Sequence, residues 1–102
     1  MKDKNALPSS IKDDRAVLSV IGKDRVGIIA EVTGLLSEYG INVQDISQTI
    51  IQGIFTMIML IDLEKSEIDI TGLREKLSKL ASDMGLDIAV QHTAVYEQMH
   101  RI

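Results

Sequence analysis

The sequence contains no cysteine, a single proline and only 3% aromatic residues. Without cysteine, disulfide bonds and thiolate metal sites are excluded. No apolar run approaches the roughly 18 residues that a membrane helix needs, and residues 1–5 lack the apolar segment of a secretory signal. These absences predict a cytoplasmic protein with no membrane partner.

The residues that are present predict one compact domain. The chain has 102 residues, of which 45% are hydrophobic and 25% charged. A chain of this length buries about two-thirds of the surface that it exposes when unfolded. The net charge of −4 gives no attraction to a phosphate backbone, which argues against nucleic acid as a partner.

The first fourteen residues differ in composition from the rest. Residues 1–14 are mostly polar and carry the only proline, Pro8, followed by two serines. This composition is typical of a flexible terminal segment. We therefore predict a flexible leader over 1–14 and a single domain over 15–102.

Hydrophobic periodicity predicts six secondary-structure elements. Apolar β-branched runs predict strands, and apolar spacing of three and four predicts helices. The predicted strands cover 15–21, 41–51, 54–63 and 86–96, and the helices cover 26–39 and 69–84, ended by Gly40 and Gly85. The order β-α-β-β-α-β predicts a ferredoxin-like α+β sandwich, with an antiparallel sheet of order 4-1-3-2 and both helices on one face.

The second predicted strand contains a fault in its alternation. Ile41 and Val43 alternate with polar residues, but the next apolar residue is Ile46, after which alternation resumes in the new phase. A slip of one residue is what a β-bulge produces, and bulges favour sheet edges and binding sites. The topology also places this strand at an edge of the sheet.

The two central strands are predicted to be apolar on both faces. In the first strand Val17 and Ile21 lie opposite Leu18 and Val20, and the third strand is apolar throughout. The helices cover only one face, so the other face exposes an apolar patch of the kind that marks an interface. The unpaired edge of the second strand is a further docking surface. We therefore predict a homodimer or a larger homo-oligomer.

The turn between the first strand and the first helix is the main candidate for anion binding. Backbone N–H groups at a helix start lack helical partners, and the helix dipole favours negative charge there. Asp24 is predicted to cap this helix, which would use one or two of these donors. The plainer alternative is a turn whose donors bind only water.

Several functions known for this topology fit the residues poorly. Base stacking needs exposed aromatic residues, and only Phe55 is available on the central strands. His92 and His100 have no neighbouring ligand pattern, so we predict no metal and no cofactor. An acylphosphatase-like enzyme would use Arg25 and Asn42, but its loop pattern is not reproduced. We therefore predict no catalytic residues and no enzyme activity.

Three segments resemble the ACT domain, a regulatory module that usually binds amino acids. Residues 20–30 read VIGKDRVGIIA, residues 36–40 read LSEYG and residues 41–48 read INVQDISQ. The resemblance extends over about 15–96. The ending AVYEQMHRI at 94–102 is similar to the stand-alone, uncharacterised ACT proteins of bacteria and archaea. Val26 stands where the wider family usually has proline.

The resemblance implies a ligand between the first loop and the second strand, often near a dimer interface. It assigns the site to Asp24, Arg25, Val26, Gly27, Ile28, Asn42, Asp45, Ser47 and Gln48. In this hypothesis the N–H groups at the helix start and Arg25 hold a ligand carboxylate, Asp45 pairs with its ammonium, and Asn42 and Gln48 orient it. Gly27 allows close approach of the backbone.

Each of these residues also has a structural interpretation without a ligand. Asp24 serves as a helix cap, Arg25 as a solvated loop charge, and Asn42 and Asp45 as residues that blunt an edge strand. Ser47 and Gln48 serve as interface hydrogen-bonding groups. The alternative function is therefore a homodimeric protein-interaction module without a ligand, which binds an unidentified protein through the edge or the open face.

Overall fold

The computed structural model describes residues 14–23 and 26–95. Its elements are β1 Arg15–Lys23, α1 Ile28–Glu38, β2 Asn42–Ile51, β3 Ile54–Asp62, α2 Ile70–Met84 and β4 Asp87–His92. The strands form one antiparallel sheet in the order β2-β3-β1-β4. This is the predicted order read from the other edge, and the ferredoxin-like fold is confirmed. Within the described ranges, neither helix combines the length and apolar character that crossing a membrane requires.

The hydrophobic core lies between the helices and one face of the sheet. Alternate residues of a strand point to opposite faces, so each central strand contributes every second side chain to the core. The fully buried members include Leu18, Val20, Val32, Leu36, Met57, Met59, Ile61 and Leu73. The helices supply the apolar stripes that the periodicity predicted. The other face of the sheet remains uncovered within one chain.

A β-bulge interrupts β2 where the alternation slips. Val43 pairs with Ile61, whereas Asp45 pairs with Leu60, so Gln44 is an extra residue in the ladder. The Gln44 side-chain amide donates a hydrogen bond of 3.4 Å to the Asp62 carboxylate. The predicted bulge and the predicted edge position of β2 are both confirmed.

Both helices are followed by a glycine with left-handed backbone, as predicted. Gly40 has φ 73° and Gly85 has φ 69°. After α1, the Ile41 N–H donates to the Leu36 carbonyl at 3.0 Å, and after α2 the Leu86 N–H donates to a carbonyl one turn earlier at 2.8 Å. This pattern satisfies terminal carbonyls that would otherwise lack partners.

The start of α2 carries a side-chain cap. Asp69 has extended backbone, and its Oδ1 accepts a hydrogen bond of 2.8 Å from the Gly72 N–H. Farther along α2, the Arg74 Nε donates to the Val90 carbonyl at 3.1 Å. These bonds fix where the helix begins and anchor it beside β4.

The start of α1 differs from the prediction. The helix begins at Ile28 rather than at residue 26, and its cap position is Gly27, with φ 93°. The prediction that Asp24 is the capping residue is therefore wrong, and Asp24 itself lies outside the described residues. A left-handed residue cannot belong to a right-handed helix, and Val26 is 98% exposed, so no packing holds it in one.

The last strand is also shorter than predicted. β4 ends at His92, and residues 93–95 form a helical turn. The ladder stops there because His92 pairs with Ala16, only one residue from the start of β1. Tyr96, the tail at 97–102 and residues 1–13 of the predicted leader lie outside the described residues.

Candidate functional site

An open groove lies between the start of α1 and the edge strand β2. Its volume is about 690 Å³. The lining residues are Gly27, Ile28, Ile29, Ala30, Gln48, Thr49, Ile50 and Phe55. The groove therefore joins the first turn of a helix to the part of β2 that follows the bulge.

One end of the groove presents backbone donors. The first helical hydrogen bond of α1 runs from the Glu31 N–H to the Gly27 carbonyl at 2.9 Å. The three N–H groups before it, those of residues 28–30, precede any helical acceptor. Among the residues that the structure describes, no side chain caps this helix. With the positive end of the helix dipole, these donors suit an anion such as a carboxylate.

Gly27 gives this helix start its shape. Its backbone has φ 93° and ψ −2°, a conformation that side chains other than glycine rarely adopt. A Cβ atom added at this position would meet no atom within 4 Å. The backbone conformation therefore requires glycine at this position. That Gly27 also allows a ligand to approach the backbone closely stays a prediction.

The rest of the groove is mostly apolar. Phe55 and Ile28 are almost fully buried and form its floor, while Ile29 and Ile50 are 36% and 55% exposed along its walls. Gln48 supplies a polar side chain, whereas the register directs the Thr49 side chain to the other face of the sheet. No described lining residue is charged. The groove thus suits a small molecule with an anionic end and an apolar end.

The structure brings together some of the predicted site residues. Gly27, Ile28 and Gln48 all line the groove. Val26 precedes it in an exposed turn and does not line it. Asp24 and Arg25 lie outside the described residues.

Three other predicted residues lie elsewhere. Asp45 pairs with Leu60 and Ser47 pairs with Ile58, which places both side chains on the face of the sheet away from the helices. The Asp45 carboxylate accepts a hydrogen bond of 2.9 Å from the next N–H of its own strand. Asn42 lines a separate groove of about 500 Å³ near the end of α1. Within one chain, the predicted polar cluster is therefore divided between three surfaces.

Sequence reasoning missed five lining residues: Ile29, Ala30, Thr49, Ile50 and Phe55. The signal for one of them was present, because Ile50 shares the alternation phase of Gln48 after the bulge. Ile29 and Ala30 line the groove because α1 begins at Ile28, which places both residues in its first turn. Phe55 follows only from the register, which pairs it with Ile50.

The described residues contain no group of three His, Asp or Glu side chains that could hold a metal ion. His92 occupies a strand position, as predicted, at the end of β4. Its Nε2 lies 3.6 Å from the Asp14 carboxylate, beneath the surface. His100 lies outside the described residues.

Comparison with known proteins identifies the family. The family model described as "ACT domain" matches residues 14–91. The chain therefore belongs to the ACT domain family, which confirms the resemblance seen in residues 20–48.

Two of the similar proteins match this chain over nearly their whole length, and two solved structures share its fold. A UPF0237 protein of Methanopyrus kandleri is 46% identical over 88 residues, which cover 86% of this chain and 98% of that protein. An ACT domain protein from Streptococcus pneumoniae superposes with a TM-score of 0.73 at 34% identity, covering 84% of this chain and 97% of that one. A putative glycine cleavage system transcriptional repressor gives a TM-score of 0.67 at 30% identity, covering 76% of this chain and 44% of that one.

Proposed function

We propose that this protein is a regulatory module that binds a small molecule of the amino-acid class and signals its presence to another protein. The observation that carries the proposal is the groove, which combines an apolar wall with a helix start that no described side chain caps. Membership of the ACT family and the likeness to a transcriptional repressor support a regulatory role. The described lining offers no titratable side chain for acid–base chemistry, which supports a binding role over catalysis.

In the proposed complex, the backbone N–H groups of residues 28–30 donate to the ligand carboxylate. The amide of Gln48 fixes the orientation of the ligand. The apolar side chain of the ligand packs against Ile50 and Phe55. Val26 lies in the turn that leads into this helix. Asp24 and Arg25 precede it in the sequence, and we retain all three residues in the proposed site. The described lining offers no carboxylate to a ligand ammonium, so acids without an amino group belong in any binding test.

We further propose that a second copy lies along the edge of β2 and that the groove borders this interface. β2 is an outer strand of the sheet, so one side of its backbone pairs with no other described strand. Asn42, Asp45 and Ser47 lie on this strand. In a pair of chains joined at this edge, they become contacts between the copies, beside the ligand.

Thermal unfolding against a panel of amino acids, 2-oxo acids and small carboxylates tests the binding proposal. A ligand at a hundred times its dissociation constant stabilises the folded state by about 2.7 kcal/mol. For a domain near this size, the midpoint rises by about ten degrees. We expect a selective rise that Gln48→Ala abolishes, because this side chain lines the groove.

Gln91→Ala is the matched control for Gln48→Ala. It removes the same side chain from β4, at the other edge of the sheet and on the face away from the helices. The ligand-induced rise should persist in this variant. A panel without any response, or a response that Gln91→Ala removes and Gln48→Ala keeps, contradicts the proposed groove.

The alternative is a protein-interaction module without a ligand. The specific observation in its favour is the uncovered sheet face, where Ile21, Ile54 and Ile58 are between 39% and 51% exposed. This reading predicts self-association with no response to the panel.

A further inference from the structure

The two outer strands of the sheet, β2 and β4, differ in how their outward backbone groups are bonded. In an antiparallel sheet, successive residues turn their N–H and C=O groups to opposite sides of the strand. The Leu63 N–H donates to the Asp14 carbonyl, so positions 16, 18 and 20 of β1 bond to β3, and positions 17, 19 and 21 bond to β4. The backbone that β4 turns away from the sheet therefore belongs to Ile88, Val90 and His92, which we call the β4 edge.

A side chain of α2 covers the centre of the β4 edge. Arg74 donates from Nε to the Val90 carbonyl at 3.1 Å, and this bond is half-buried. Val90 itself is held in the core, with a side chain that is 4% exposed. A strand that added at this edge would need the same carbonyl as an acceptor. It would have to displace the guanidinium, which breaks a charged hydrogen bond and leaves the charge beside the new ladder.

The β2 edge, in contrast, is covered only at its bulged end. The two-residue turn after β2 makes its flanking residue Ile51 bond to β3, so Ile50 faces outward. By alternation Gln48 and Ile46 face outward as well, and the Ile46 N–H donates to the Asp45 carboxylate at 2.9 Å. Among the described residues, the outward backbone groups of Gln48 and Ile50 have no such partner. The open part of the β2 edge thus lies beside the groove.

We infer that Arg74 closes the β4 edge to an added strand, so that an extended chain joins this sheet only along β2, over Gln48 to Ile50. The partner that fits the open stretch is an extended segment that pairs through its backbone. Closure of the β4 edge concerns α2 and β4 alone, and it does not depend on the proposed ligand site.

The position of Arg74 follows from how α2 packs. Leu73 and Leu77 are buried in the core, which fixes this turn of α2 against the sheet, and Arg74 leaves the helix on the side of β4. A guanidinium keeps its charge across the pH range in which proteins fold, so the bond to Val90 does not depend on a titration. Because Arg74 as a whole is exposed, its charge stays solvated while Nε holds the edge.

The closed edge limits assembly by strand pairing, and this consequence rests on the β2 pair of the proposed function. When two copies join along β2, the outer strands of the joined sheet are the two β4 strands. If both β4 edges were open, further copies would pair there and the array would extend without limit. With Arg74 on each β4 edge, strand pairing ends at two copies.

Arg74→Ala is the decisive variant. It removes the donor from the Val90 carbonyl without changing the core, since Arg74 is exposed. Size-exclusion chromatography with light scattering, over a wide range of protein concentration, should show at least twice the wild-type mass, rising with concentration. Arg74→Met keeps the apolar stem of the side chain and should show the same growth, which preserves the test if the alanine variant folds poorly. Circular dichroism checks that each variant is folded.

Two further variants separate the hydrogen bond from other effects of the substitution. Lys79→Ala removes one positive charge from the same helix, at a side chain that is 80% exposed, and should keep the wild-type mass. Arg74→Lys retains a charged donor at the position and should also keep this mass. If Arg74 served only to anchor α2, Arg74→Ala would lower the unfolding free energy and leave the mass unchanged.

A proline at position 48 shows which edge is used. The Gln48 N–H faces outward, so Gln48→Pro removes a donor from the open edge and none from the ladder with β3. Combined with Arg74→Ala, it should give at most twice the mass of Gln48→Pro alone. Only the β4 edges remain available in this double variant, and pairing through them joins two copies and then stops.

The inference and the proposed function fail separately. A folded Arg74→Ala protein with the wild-type mass at every concentration overturns closure by Arg74, as does an equal rise in mass for Lys79→Ala. Growth of the double variant beyond twice the mass of Gln48→Pro also overturns it, because the new contact then lies outside the β4 edge. An unchanged mass for Gln48→Pro contradicts only the β2 pair, and Arg74→Ala should then still double the mass through β4. The ligand response should persist in Arg74→Ala, since Arg74 does not line the groove.

Discussion

The two helices of this domain begin in different ways. At α2, Asp69 has extended backbone and its carboxylate accepts the Gly72 N–H. At α1, the corresponding position is Gly27, with left-handed backbone and no side chain to offer. The two helices otherwise end alike, each followed by a left-handed glycine. The difference is therefore specific to the helix starts.

This contrast separates a structural helix start from one that is available to a ligand. A side-chain cap satisfies a donor at the start of α2 and stabilises the helix. At α1, the equivalent donors face a groove. In the proposed complex, a bound anion provides at α1 the stabilisation that α2 obtains from its own side chain. Substitutions at the two starts should thus affect different properties.

The largest effect is expected from Gly27→Val. A β-branched residue is strained at φ 93°, and we expect a loss of about 2 kcal/mol in unfolding free energy. The change should also abolish the ligand-induced rise in melting temperature, because it displaces the donors of the helix start. Urea unfolding and the ligand panel measure the two effects.

Gly85→Ala provides the control for backbone strain. It also places a side chain at a left-handed position, φ 69°, with no atom near the added Cβ, but it follows α2 and does not line the groove. We expect a loss of about 1 kcal/mol with the ligand response intact. Equal loss of ligand response in both variants would show that strain alone explains the effect of Gly27→Val.

A smaller effect is expected from Asp69→Ala. Removal of the cap should lower the unfolding free energy by about 1 kcal/mol, while Asp69→Asn, which can still accept the hydrogen bond, should lower it much less. Neither change should alter the ligand response, since this helix start is remote from the groove lining. Altered ligand affinity in Asp69→Ala would contradict the conclusion that the start of α2 has a purely structural role.

The smallest effect is expected from Glu31→Gln. Glu31 is the acidic residue in the first turn of α1, and α2 has none there. Loss of this charge should reduce the unfolding free energy by about 0.3–0.5 kcal/mol at low salt, because the positive end of the helix dipole stabilises a carboxylate in the first turn. The same change should tighten carboxylate binding by about twofold, as a negative charge near the donors is removed. Calorimetric titration with the best ligand checks the sign.

Much of the fold could be predicted because local signals agree with the tertiary structure. The slip in alternation between Val43 and Ile46 located the bulge, and Gly40 and Gly85 located the helix ends. The sequence predicts the start of α1 two residues early, since nothing in it reveals the left-handed backbone of Gly27. The end of β4 depended on where its partner strand begins, which is a tertiary property.

The site was harder to predict than the fold. Asp45, Ser47 and Gln48 are close in sequence, but the pleat sends Ser47 and Gln48 to opposite faces. The alternation after the bulge already separates these residues, and it identifies Ile50 as a neighbour of Gln48. The contribution of Phe55 required the register between β2 and β3, which the sequence does not specify by itself.

The bulge at Gln44 also limits the length of sheet edge along which a further chain can add a strand. The regular part of the β2 edge runs only from Asp45 to Ile51, because an added strand would lose its ladder at the extra residue. Two β2 edges that pair with each other use that short stretch once, and the contact closes. A repeated contact from β2 to the β4 edge of the next copy would instead extend into a filament. The extra residue thus shortens the edge that is available to an added strand, whichever strand that is.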